Sequence, residues 1–172
     1  MKSLFFTLAF AAASMAGAAE IDVDGSFKSL NMDGKTLAKW SCSNQSVLEI
    51  LPGKEVGTHE LYVETAGRTC QVLSRGYLSV PENERIALLS FECRGVAGFG
   101  ANICLYGPKG VYLDNHNLKN MALGTEYQAH TLKYEIPKTF KDQPVHFIRV
   151  QFNFYSPARG SLRNIRLTLQ EK

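Results

Sequence analysis

The stretch Arg85-Ile86-Ala87-Leu88-Leu89-Ser90-Phe91-Glu92-Cys93-Arg94-Gly95 decides the fold. Its side chains alternate, with Leu89, Phe91 and Cys93 toward one face and Ser90, Glu92 and Arg94 toward the other. That period of two belongs to a half-buried strand, and Gly95 marks the turn after it. The same alternation returns in Val145 to Tyr155, where Ile148, Val150, Phe152 and Phe154 point one way and Arg149, Gln151, Asn153 and Tyr155 the other. Burying the apolar set against a second sheet is worth about 1.5 to 3 kcal/mol for each large side chain. The polar set must face water or a ligand.

Outward from these two runs, turn residues recur at Asp33-Gly34, Pro52-Gly53-Lys54, Ala66-Gly67, Pro81-Glu82-Asn83, Gly107-Pro108-Lys109-Gly110, Asp142-Gln143-Pro144 and Ser156-Pro157-Ala158-Arg159-Gly160. Short segments rich in β-branched and aromatic residues lie between them, the spacing of a sandwich or barrel. No internal repeat or low-complexity tract interrupts the pattern. No 3.6-residue apolar period is sustained, although Leu118 to Leu123 has room for a single helical turn. The expected fold is all-β: a two-sheet antiparallel β-sandwich forming a single domain over residues 20–172.

Residues 1–19 read as a secretory signal peptide: Met1-Lys2-Ser3 is a basic start, Leu4 to Ala13 an apolar run, and Ala16 to Ala19 a small-residue cleavage site. The apolar run is too short for a membrane span. Cleavage after Ala19 takes 19 of the 172 residues and leaves 153, enough for a substantial core. The expected location is secreted or periplasmic, in a bacterial host. Lys and Arg number 19 and Asp and Glu 16, interspersed along the chain. That balance lacks the clustered basic face that nucleic acid requires.

An oxidising compartment makes the even set Cys42, Cys70, Cys93 and Cys104 a candidate for two disulfides, with three pairings open. Cys93 and Cys104 flank Gly95 to Gly100, so a hairpin there would bring them face to face and leave Cys42 for Cys70. Buried free thiols are the alternative. No two cysteines have zinc-knuckle spacing, and no two of His59, His116, His130 and His146 have metal spacing, so no metal and no cofactor is expected.

If the strands of Arg85 to Gly95 and Val145 to Tyr155 share a sheet, their polar sides form one display of Glu92, Arg94, Arg149, Gln151, Asn153 and Tyr155. Planar hydrogen-bonding groups beside an aromatic face are what a sugar ring requires. Phe99, between Gly98 and Gly100, is a further candidate contact on an overhanging turn, with Tyr106 beside it. Trp40, the only Trp, is expected in the core, and His130 and His146 fall on apolar faces. Glycoside hydrolysis needs two facing carboxyls, and only Glu92 lies centrally on the display, where an ion pair with Arg94 or Arg149 is expected. No catalytic residue is assigned.

Several segments, in order, resemble the carbohydrate-binding modules of the galactose-binding-like superfamily, the jelly-roll modules attached to xylan- and glucan-degrading enzymes. They are Gly25-Ser26-Phe27, Trp40, Gly57 to Val63, Gln71, Pro81 to Gly95, Thr125-Glu126-Tyr127-Gln128 through Ile136-Pro137, Val145 to Tyr155, and Gly160 to Leu167. The resemblance implies a jelly roll and an oligo- or polysaccharide ligand. It also places a structural calcium between a Glu after the opening Gly-x-Phe and an Asp in the closing strand. Here those positions are Lys28 and Arg163, which would repel a hard cation, so this calcium is expected to be absent. The expectation is a secreted, non-catalytic, lectin-like protein holding a glycan on the outer face of one sheet. The alternative is a cell-envelope module that keeps the sandwich and contacts a protein through its loops.

Overall fold

The computed structural model describes residues 19–32, 37–53 and 56–172. The expected signal peptide lies outside them except for Ala19, as do the turn at Asp33-Gly34 and Lys54. Among the described residues the strands are β1 (Ala19–Ile21), β2 (Trp40–Ser43), β3 (Val47–Pro52), β4 (His59–Thr65), β5 (Cys70–Ser74), β6 (Leu78–Ser79), β7 (Ile86–Tyr106), β8 (Tyr112–Ala122), β9 (Gln128–Glu135), β10 (Thr139–Phe140), β11 (Gln143–Pro144) and β12 (Phe147–Gln170). Among the described residues the one helical element is a 3-10 turn at Pro108–Gly110, joining β7 to β8.

Two long strands, β7 and β12, are shared by both layers of an antiparallel jelly-roll sandwich. In the first layer the C-terminal half of β12 lies between the N-terminal half of β7 and β4, with β3 and β9 outside them and β1 along Leu167 to Leu169. In the second, the N-terminal half of β12 lies between the C-terminal half of β7 and β5, with β8 and β2 at the edges. β10 and β11 form a separate hairpin.

Two expected turns are therefore bends inside strands. Gly95 pairs with Gly160, and a Cβ on Gly95 would stand 2.1 Å from the Arg159 carbonyl oxygen, so the two backbones approach where only glycine fits. β12 shifts register between Tyr155 and Arg159, beside a cis Ser156–Pro157 peptide. The helical turn expected from Leu118 to Leu123 is absent: that segment belongs largely to β8, which fills the edge of β7 and packs Leu118 and Met121 against the core.

The alternation holds through both long strands. Leu89, Phe91, Phe99, Ile103 and Leu105 of β7 and Ile148, Val150, Phe152, Phe154 and Leu167 of β12 are all buried. The Phe91 ring lies 5.0 Å from Phe152 and 5.8 Å from Phe99, and Phe99 lies 5.0 Å from Phe154, so one aromatic chain joins the layers. Trp40 is in the core as expected, its Nε1 donating to the Asp24 carbonyl at 3.2 Å.

The cysteines depart from expectation, since all four are free thiols. Cys93 and Cys104 sit on one strand rather than on two arms of a hairpin, so their Cα atoms cannot approach to the roughly 7 Å that a disulfide tolerates. Cys93 faces the core, while Cys104 faces outward and donates to Gln151 Oε1. Cys42 is paired in register with Val72 and Cys70 with Phe154, which makes them diagonal neighbours on β2 and β5. Burial raises all four thiols, Cys42 to about 12 and the others to about 11.

Candidate functional site

The expected display divides between the two outer faces. Glu92 and Arg94 lie in the half of β7 that pairs with Arg163 and Ser161, whereas Arg149, Gln151, Asn153 and Tyr155 lie opposite Cys104, Asn102, Gly100 and Gly98. The bend at Gly95 separates the groups, because the first half of β7 never meets the first half of β12. Phe99 is not a contact residue: its side chain is fully buried, and the flanking glycines face outward in its place.

On the first layer the outer side chains satisfy one another. Glu60, almost buried, accepts from Arg94 at 3.3 Å and from the Tyr127 hydroxyl at 2.5 Å, and lies 3.8 Å from Arg163. Glu92 pairs with Arg163 at 2.8 Å and accepts from Asn164 at 3.0 Å, rather than pairing with Arg94 or Arg149. Tyr127 is held by both guanidinium groups, 3.5 Å from Arg163 and 4.5 Å from Arg94. Burial and the bond to Glu60 push its hydroxyl up to about 12. Arg163, at one of the resemblance's two calcium positions, thus occupies the neighbouring carboxylates itself. The Asp24 carboxyl near the other position accepts from the backbone N–H groups of Lys28 and Ser29.

The outer face of the second layer is built differently. Along β12 and β7 its floor is Arg149, Gln151, Asn153, Asn102 and Cys104, recessed so deeply that Asn102 is 3% exposed, Gln151 6% and Asn153 8%. The floor is a chain of amides: Gln151 Nε2 donates to Asn153 Oδ1 at 2.9 Å, and Asn117 Nδ2 donates to Asn102 Oδ1 at 2.7 Å and to Asn120 Oδ1 at 2.9 Å. The Tyr155 hydroxyl donates to the same Asn120 oxygen at 2.9 Å. Its ring runs over Gly98 and Gly100, whose missing side chains make the space.

Aromatic rings stand at the other end of this floor. Tyr106 meets Tyr77 edge-on at 4.9 Å and Tyr112 at 5.7 Å, and Tyr77 lies 6.0 Å from Phe147. Tyr77 and Tyr112 are about half exposed, while Tyr106 between them is buried. The Arg149 guanidinium lies 5.6 Å from the Tyr77 ring centre and 6.0 Å from that of Tyr106, with Nε donating to the Ser74 carbonyl. Burial raises the Tyr106 hydroxyl above the usual phenol value. This end therefore offers apolar ring faces beside hydrogen-bonding groups.

Asn102, Tyr106, Asn117 and Asn120 complete a site of which the Val145 to Tyr155 alternation shows only one strand. The missing signal is phase: Gly98, Gly100, Asn102, Cys104 and Tyr106 alternate without a break once the glycines are read as strand. Other recesses are less suited to a ligand. In the cavity of about 560 Å³ beside β1, lined by Glu20, Asp22, Asp24, Glu92, His130 and Arg166 among others, the carboxylates of Asp22, Asp24 and Glu92 are engaged within the fold. No cluster of three metal-ligating side chains occurs among the described residues.

No protein-family model matches the chain, and no curated protein matches it in sequence. Solved structures do match in fold. The family 11 carbohydrate-binding module of Clostridium thermocellum, in complex with a beta-1,3-1,4-mixed-linked tetrasaccharide, aligns at TM-score 0.57 and 12% identity over 87% of this chain and 94% of that one. A family 29 carbohydrate-binding module complexed with cellulohexaose aligns at TM-score 0.55 and 12% identity over 88% and 91%. The Stig cyclase Fisc of Fischerella sp. TAU aligns at 0.59 and 12% over 90% and 98%. Against a bacteriophage tailspike, an arabinofuranosidase and a xylanase the chain spans only 20%, 26% and 28% of the other chain. The chain has the jelly-roll fold that the carbohydrate-binding modules display, as the ordered segments from Gly25 to Leu167 led us to expect.

Proposed function

We propose that this chain is an exported, non-catalytic carbohydrate-binding protein that holds a glycan across the outer face of its second layer. The observation that carries this reading is the recessed amide floor of Asn102, Gln151 and Asn153 ending against the Tyr77, Tyr106 and Tyr112 rings. Amides present a donor and an acceptor in one plane, which matches the vicinal hydroxyls of a pyranose, and tyrosine rings cover its apolar face. The fold shared with carbohydrate-binding modules supports the reading, as does the basic, apolar and small-residue order of residues 1–19.

The charges of this face support a non-catalytic role. The outward register positions of β2, β5, β7 and β12 in this layer hold no Asp or Glu, which leaves Asp114 of β8, beside Cys104 and Tyr112, as a single carboxylate at the edge. Hydrolysis of a glycosidic bond by the usual route needs two carboxyls flanking it. Glycan arrays and calorimetry on the chain lacking residues 1–19 test the proposal. Binding that is lost in Gln151→Ala with Asn102→Ala is expected. Absence of any glycan ligand would overturn it in favour of the protein-contact alternative.

A further inference from the structure

Arg149 is the cation of the recessed floor. Two other half-buried arginines are matched to acids, Arg94 to Glu60 and Arg163 to both Glu60 and Glu92, while Arg85 spends its N–H groups on the Glu82, Pro137 and Val145 carbonyls. Exposed Arg159 also has a carboxylate, Glu64, at 3.7 Å. Arg149 takes part in no ion pair among the described residues; its Nε donates to the Ser74 carbonyl, and the guanidinium also shares a hydrogen bond with the Tyr106 hydroxyl.

We propose, resting on the glycan-binding reading above, that the ligand is an acidic saccharide whose uronate carboxylate is received by Arg149. A guanidinium withdrawn from bulk water loses solvation that only a matched anion or several hydrogen bonds restore. Here Tyr77 and Tyr106 fix its position through their ring faces, so little further ordering is needed when a ligand arrives. Nε is turned back into the protein and one further N–H meets the Tyr106 hydroxyl, which leaves the remaining terminal N–H groups to meet a carboxylate. A neutral sugar would present single hydroxyls to the same groups. The amides alongside suit the hydroxyls of the same ring or its neighbour; the outward register positions of β12 and β7 in this layer hold no acid, and the neighbouring carboxylate is Asp114 at the β8 edge, by Cys104 and Tyr112.

The test uses oligogalacturonate and oligomannuronate beside the same oligosaccharides with their carboxyls reduced to alcohols, which keep every other hydroxyl. The expected result is binding of the uronate forms about 10- to 100-fold tighter than the reduced forms, the range of one charge-assisted contact. That preference should shrink as salt rises from 0.05 to about 0.5 M. Arg149→Gln should bring the two forms to equal affinity, and Arg149→Lys should keep part of the difference. Equal binding of charged and reduced forms by the unaltered chain would overturn the acidic assignment while leaving the glycan reading intact. So would an Arg149→Gln variant that weakens both alike. Failure of both forms and of all neutral glycans would overturn the two readings together. The comparison of charged with reduced ligand needs no variant, so it stands even if substitution at Arg149 unfolds the chain.

Discussion

Tyr155 runs along the bare backbone of β7, and a Cβ on Gly100 would stand 2.5 Å from its hydroxyl oxygen. The glycine and the tyrosine therefore form one device: the missing side chain lets Tyr155 reach Asn120 and close one end of the amide chain. Gly100→Ala is expected to swing the tyrosine away. The obstruction is the far end of a side chain, and alanine reduces the freedom of the unfolded strand, so the stability change should stay within about 1 kcal/mol. Glycan affinity should fall severalfold. An unchanged affinity, measured by calorimetry alongside a urea melt, would show that Tyr155 lies outside the site.

Gly95 responds to the same substitution in the opposite proportion. Its φ of +145° disfavours any L side chain, and its Cβ would meet the Arg159 carbonyl at 2.1 Å, backbone that cannot step aside. Gly95→Ala should destabilise the chain by more than about 2 kcal/mol, because the bend that carries β7 from one layer to the other must open. Gly98→Ala, whose nearest obstacle is Tyr155 at 3.2 Å, is the matched control and should cost far less. Equal urea midpoints for the two variants would contradict this account of the bend.

These glycines also mark how far the sequence could be read. The alternation of Leu89, Phe91 and Cys93 and of Ile148 to Phe154 assigned core and outer faces correctly, since a period of two survives any arrangement of the sheets. What it could not supply was the partner of each strand. Gly95 and Ser156 to Gly160 carry ordinary turn chemistry, and only the close pairing of Gly95 with Gly160 distinguishes a bend from a hairpin. Reading them as turns moved Phe99 onto a loop, brought Cys93 to Cys104, and placed Glu92 and Arg94 beside Arg149. Pairing is a long-range property, so the candidate site was legible one strand at a time and its composition was not.

Glu92 and Arg94 belong to a stabilising cluster on the opposite face, and that assignment has a direct check. Arg94→Ala should leave glycan affinity unchanged, whereas Arg149→Ala should not. Glu60 is the more severe position. With its side chain 9% exposed, Glu60 is the acceptor of the Tyr127 hydroxyl and of Arg94, while Arg163 keeps Glu92, so Glu60→Ala should cost about 1 to 3 kcal/mol. A loss of binding in Arg94→Ala at full stability would return this residue to the ligand site.

Raised thiols make stability depend on alkaline pH. The unfolded chain begins to release thiol protons near the ordinary value of 9.0, while the folded chain holds those of Cys70, Cys93 and Cys104 to about 11 and that of Cys42 to about 12. Because the unfolded state then binds fewer protons, the contribution is fully present below about pH 9 and is lost as pH rises through that window. Tyr127, raised to about 12, adds to the same trend above pH 10. Urea unfolding should show the same stability at pH 7 and 8 and a fall of about 2 kcal/mol or more by pH 10.5. Cys93→Ala should make that fall shallower, and a thiol reagent should count four reactive groups only in denaturant. A chain whose melting temperature drops on adding reductant at pH 7 would instead hold a disulfide, and the free-thiol account would fail.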